Sequence, residues 1–161
     1  MKRLRNESTS LDAMDLKILR LLEKDARIST AELARVVGLS APSVAERIKR
    51  LQESGVIEAY SVRINPAALG LPLSAWLRIR PVPGQLAAVA ETIRDLPEIV
   101  QCDRVTGEDC FIALAHVGSV AELERVIDRI IPHAMTNTAI IQSSPVVARS
   151  PLAALNRRTQ A

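Results

Sequence analysis

The chain has 161 residues, 48% of them apolar, which is enough to build a core for one ordinary domain or two small ones. Only Trp76, Tyr60 and Phe111 are aromatic, which argues against a base-stacking platform for single strands, and no apolar run approaches the roughly 20 residues needed to span a bilayer. The net charge is +3 and lies wholly in residues 1–64, which hold twelve Lys/Arg against nine Asp/Glu, so that half points toward a polyanion.

The start, "MKRLRNESTS", is a basic arm with no apolar segment behind it. It does not read as a secretory signal, and the cytoplasm is the expected compartment. Leu11, Ile18, Leu19 and Leu22 then fall on one helical face, with Asp12 as N-cap and Asp15 in the first turn. "STAE" is a capping box in which Ser29 and Glu32 open a second, short helix that Gly38 ends. Ser40 caps a third helix, predicted from about Ala41 to Ser54. Helix, glycine turn and helix is the helix-turn-helix arrangement.

On the third helix Val44, Ile48 and Leu51 form the buried stripe. Ser43, Glu46 and Arg50 face away from it, flanked by Lys49 and Glu53. Helix-turn-helix proteins read bases with the N-terminal part of this helix, so Ser43, Glu46 and Arg47 are the base-edge candidates. Arg47 borders the apolar stripe, and an internal salt bridge is its alternative role. Lys49 and Arg50 lie further along and suit phosphate. Ser29, Thr30 and Ser40 stand at helix starts, where amides and hydroxyls also suit phosphate. "VIEAYSVRI" is β-branched and alternating and is predicted as a strand. "NPAALG" punctuates the chain and divides a DNA-binding domain, residues 1–64, from a second domain, residues 65–161.

The second domain changes period. "LPLSAWLRIR" is a strand with Leu73, Ala75, Leu77 and Ile79 on one face. Leu86, Val89, Ile93 and Leu96 mark a helix. "EIVQCDRV" and "CFIALAHV" are strands joined by a hairpin turn near Gly107. Ser119 and Glu122 make another capping box, before a helix with Leu123, Val126, Ile127 and Ile130 inward. "AMTNTAIIQSS" is the last strand. The order βαββαβ is the ferredoxin-like split unit, and the fold class is α+β. Both helices cover one sheet face. "CFIALAHV" is apolar at nearly every position, so the other face needs cover, which a second copy supplies as an isologous homodimer.

"LDAMDLKILRLLEKDARIS", "ELARVVGLS", "VAERIKRLQESGVI", "VTGEDCF" and "MTNTAI" stand in register with one family. From Leu11 to Pro151 the chain resembles the Lrp/AsnC, or feast/famine, transcriptional regulators. The resemblance implies a double-stranded DNA partner, dimers assembling to octamers, and an amino-acid or related effector bound where dimers meet. It implies a pocket from the loop after the second strand and from the last strand: Gly107, Glu108 and Asp109, then Thr136 and Thr138. Cys110 stands where the family often has an acid. The residues suit the task. A glycine turn exposes amides for a carboxylate, the acids could hold an ammonium group, and Thr136 and Thr138 share one strand face. Cys110 and Met135 would line the side-chain pocket.

Two rival readings come from other classes. A decarboxylase-like enzyme of tetrapyrrole synthesis resembles the same family, but the chain offers only His116 and His133 for acid–base work. A redox sensor would use Cys102 and Cys110, although no neighbouring Lys or His clearly activates either thiol. Neither cysteine has zinc-site spacing, and no metal or cofactor is expected.

Overall fold

The computed structural model describes residues 11–158, with side chains described through Leu155. The expected basic arm, residues 1–10, lies outside the described residues. Of the described residues, those through Val62 and from Ala148 onward form one compact unit, and Arg63–Val147 form a second.

In the first unit, α1 (Ala13–Lys24) is opened by Asp12, whose carboxylate accepts from the Asp15 amide at 2.7 Å while Asp15 accepts in return from the Asp12 amide. Helix α2 (Thr30–Val37) is capped by Ser29, which accepts from the Glu32 amide at 3.1 Å. Glu32 itself turns to Arg35, so only half of the expected box is made. Gly38 ends α2 at φ 79°, a left-handed position that a side chain rarely adopts. Helix α3 (Ala41–Glu53) follows at once, capped by Ser40. Ile18, Leu33, Ala34, Val37 and Val44 form the core where the three helices meet, with Ile48 packed against it.

The expected strand after α3 is not formed. Residues 58–65 have no regular structure, and Tyr60, Val62 and Ile64 are exposed. A strand needs a hydrogen-bonding neighbour, and this segment has none among the described residues. Residues after 147 also depart from the expected division. They group with the first unit through the short helix α6 (Leu152–Arg158), whose Leu152 and Leu155 share an apolar wall with Leu19 and Leu22 of α1.

In the second unit a short 3-10 turn (Pro66–Leu69) leads into β1 (Leu73–Pro81), α4 (Leu86–Arg94), β2 (Ile99–Arg104), β3 (Phe111–Val117), α5 (Val120–Ile130) and β4 (Ala134–Ile140). The sheet is antiparallel, in the order β2-β3-β1-β4. This is the expected βαββαβ architecture. One face buries Ala75, Leu77, Ile79, Ala113 and Ala115 beneath Val89 and Ile93 of α4 and Leu123, Val126 and Ile130 of α5. The register places Trp76 beside Leu114 and Arg78 beside Ile112 on the opposite face. Ile112 and Leu114 are half-buried and Trp76 is exposed.

Candidate DNA and effector sites

The N-terminal part of α3 presents Ser43 and Glu46 to solvent. Ser43 and Ser40 share a hydrogen bond at 2.8 Å between hydroxyls, so the start of the helix is a small polar platform. Lys49 is exposed and only loosely paired with Glu53 at 3.9 Å. Ser29 is exposed and Thr30 half-buried at the start of α2.

Arg47 does not join that surface. Its guanidinium donates to Asp12 at 2.6 Å and to Asp15 at 2.8 Å, both on the opening turn of α1. Arg50 reaches the other oxygen of Asp15 at 2.7 Å. Asp15 is fully buried and is the charged residue at the centre of this network. The position of Arg47 beside the apolar stripe explains the outcome: from there its side chain reaches across to α1 rather than outward. Without DNA, Arg47 thus makes the internal salt bridge that was its alternative role and braces α3 to α1. A buried carboxylate is tolerated only when its oxygens are satisfied, and two guanidiniums with one backbone amide do so. The amide of Asp15 and the Arg47 guanidinium hold the Asp12 carboxyl below its ordinary pKa, and the carboxylates of Asp12 and Asp15 raise that of Arg47. The spacing of Asp12 and Asp15 had marked them only as helix-opening residues. Nothing local in sequence joins them to Arg47, more than 30 residues on.

In the second unit the hairpin between β2 and β3 turns at Gly107, whose φ is 107°. Cys110 also takes a left-handed φ of 43°, which is uncommon for a residue with a side chain. Its carbonyl accepts from the Val105 amide at 2.8 Å and closes the loop. Glu108 and Asp109 do not stand free. Asp109 accepts from Arg78 Nε at 2.7 Å, and Glu108 is bonded to Arg80. Arg78 and Arg80 belong to alternate positions of β1 on the open face. Nothing in the sequence singles out either arginine, since both occupy what read as ordinary solvated positions of an alternating strand.

Met135 pairs with Arg80 and Asn137 with Arg78, so both belong to that same face. Thr136 and Thr138 do not. Thr138 pairs with the fully buried Leu77, which places the two threonines on the helix-covered side. One chain therefore joins Glu108, Asp109 and Met135 with two arginines, and separates them from the threonines by the thickness of the sheet. Thr138 Oγ1 is nonetheless buried without a hydrogen-bond partner among the described residues.

Cys102 faces the covered side, where burial and then the Asp103 charge push its thiol pKa up, the opposite of activation. Ser74 and His116 share a hydrogen bond at 2.8 Å on the open face. Among the described residues no cluster of His, Cys, Asp and Glu could hold a metal ion, and no helix is long and apolar enough to cross a membrane.

Comparisons with known proteins bear on both sites. The family described as winged helix-turn-helix DNA-binding matches residues 11–58, and the Lrp/AsnC ligand binding domain matches residues 74–151. The HTH-type transcriptional regulator LrpC of Bacillus subtilis is 35% identical over 133 residues, covering 83% of this chain and 92% of the relative. The solved structure of B. subtilis LrpC superposes with a TM-score of 0.81 at 33% identity, over 86% of this chain and 99% of that one. A feast or famine regulatory protein from M. tuberculosis, complexed with L-methionine, gives a TM-score of 0.80 at 35% identity, over 88% and 98% of the two chains. A helix-turn-helix unit followed by this ligand-binding fold, matched along most of its length, places the chain in the Lrp/AsnC family of transcriptional regulators.

Proposed function

We propose that this regulator binds double-stranded DNA through α3 and that an amino acid, bound in the second unit, changes how it binds. The observation that carries the DNA reading is the braced helix. Two arginines fix α3 to α1, which leaves Ser43, Glu46 and Lys49 as the exposed side chains to meet bases and phosphates. Ser29, Thr30, Ser40 and Arg50 contact phosphate. Arg50 can do so because its side chain is half exposed beyond its bond to Asp15.

The effector reading rests on charge. An amino acid brings one carboxylate and one ammonium group, and both need opposite partners when water is excluded. The Arg78–Asp109 pair supplies one of each, already adjacent. The ligand's carboxylate exchanges onto Arg78 and the Gly107 amide, and its ammonium onto Asp109. Met135 and Cys110 border its side chain. Thr136 and Thr138, on the helix-covered side, do not touch a ligand held at this pair in the same chain. The relative solved with L-methionine makes that amino acid the first probe.

The open sheet face, with Trp76, Ile112 and Leu114, is the dimer surface. Dimers assemble further, to octamers, in the cytoplasm. The relatives reported above are named as regulators, and the decarboxylase-like reading is not carried further. The test is a gel shift with double-stranded DNA in the presence of each proteinogenic amino acid. A regulator retards DNA, and one amino acid changes the midpoint. Retardation of no duplex at low salt would sink the DNA reading.

A further inference from the structure

The chain passes between its two units twice, once near Val62 and again near Ala148. Both passages belong to the same corner of the sheet. The first enters at the start of β1. The second leaves from the end of β4, where Ile140 pairs with Ala75 and the Ile141 amide donates to the Ser74 carbonyl at 2.8 Å. These are also the strands that carry Arg78, Arg80, Met135 and Asn137.

The second passage ends in α6, which begins just beyond residue 151, where the match to the family's ligand-binding domain stops. Seven residues do not sustain a helix in water by themselves. Leu152 and Leu155 instead line, together with Leu19 and Leu22 of α1 and Tyr60 of the following segment, one cavity of about 960 Å³. We propose that residues 141–158 form a second tether, with α6 docked on α1, that couples strand β4 to the DNA-binding unit. This coupling rests on the effector reading above, whereas the docking does not.

The first connection, residues 63–72, carries exposed residues and only one short 3-10 turn. Alone, it lets the helix-turn-helix unit sample many arrangements, which dilutes any bias set in the sheet. A second connection from the neighbouring strand end closes a loop and removes much of that freedom. A ligand that favours one arrangement of β1 and β4 is then felt at α3.

The test uses the full chain carrying Leu152→Asp with Leu155→Asp, and Ala153→Asp as the control on an exposed position of α6. Hydrogen exchange of amides 19–24 and 56–61, without ligand, reads the docking. The double variant is expected to exchange faster there by at least tenfold, and the control to match the unmodified protein. Equal exchange in all three proteins overturns the docking, and with it the tether. DNA affinity with and without L-methionine, or whichever amino acid binds the unmodified protein by calorimetry, reads the coupling. The double variant is expected to bind that amino acid but to lose most of the ligand-induced change in DNA affinity. An unreduced change, alongside faster exchange, overturns the coupling. If no amino acid binds the unmodified protein, the effector reading and the coupling fall together, and exchange still decides the docking.

Discussion

Asp15 is fully buried in α1 and holds Arg47 of α3 at 2.8 Å, so the recognition helix is fixed to the rest of its unit by a carboxylate that never meets solvent. Arg50 on the second oxygen makes the attachment two-pronged. The orientation of α3 thus depends on charge as well as on Val44 and Leu51. Asp15→Ala removes the acceptor for both guanidiniums and is expected to destabilise the protein by about 1.5–3 kcal/mol, the range for hydrogen bonds to charged groups. Chemical denaturation checks this. A stability equal to the unmodified protein's would show that the network contributes nothing.

Arg47 and the exposed residues should separate in DNA binding. Lys49→Ala is expected to weaken binding about equally on all duplexes and to lower the salt slope by about one phosphate contact. Glu46→Ala should instead change the order of preference among duplexes at constant salt. Arg47→Lys keeps a charge but loses the fork that spans two carboxylates. It should lower the melting temperature and leave sequence preference intact. Changed preference with unchanged melting temperature would restore Arg47 to the reading surface.

Asp12 links stability to pH. Its folded pKa lies below the ordinary value, chiefly through the Asp15 amide and then Arg47. The folded state therefore binds the proton less readily than the unfolded chain. Its contribution is fully present above the unfolded pKa, near 3.9, and is lost as pH falls through the depressed folded value. Asp12→Asn should accordingly narrow the melting-temperature gap to the unmodified protein as pH drops from about 6 toward 3. A gap constant over that range would mean that Asp12 is not the linked group.

The architecture was legible wherever one element's own periodicity decides its fate. Ala75, Leu77 and Ile79 alternate, Leu123, Val126 and Ile130 recur at helical spacing, and each buries the face its period assigns. Segments that need a partner were not legible. "VIEAYSVRI" has the composition of a strand but no hydrogen-bonding neighbour among the described residues, and α6 lines a cavity with α1, about 130 residues earlier in the sequence. The site was legible in part. Glycine at 107 and acids at 108 and 109 stand out in sequence. That Arg78 and Arg80 neutralise those acids follows only from the register of β1 against β3, and the register of β1 against β4 parts Thr138 from Asp109. Ion pairs between distant segments leave no local signature.

The open face of the sheet carries Trp76, Ile112 and Leu114 in the single chain, with Met135 67% exposed at its border. An isologous interface introduces any new charge twice. Leu114→Asp should give monomers, or unfolded chain, at micromolar concentration in sedimentation. A variant that stays dimeric would move the interface elsewhere, as would an unmodified protein that is itself a stable monomer.

DNA binding should respond to an amino acid through the Arg78–Asp109 pair. The direct measurement is anisotropy of a duplex enriched by the protein's own binding, titrated with and without the amino acid that calorimetry identifies. The midpoint should shift about 5–150-fold in the unmodified protein, the usual range of allosteric coupling. In Asp109→Ala and Arg78→Ala it should shift little, while ligand-free DNA affinity stays near normal. Full response in both variants, at unmodified ligand midpoints, would mean that the effector does not act through this pair.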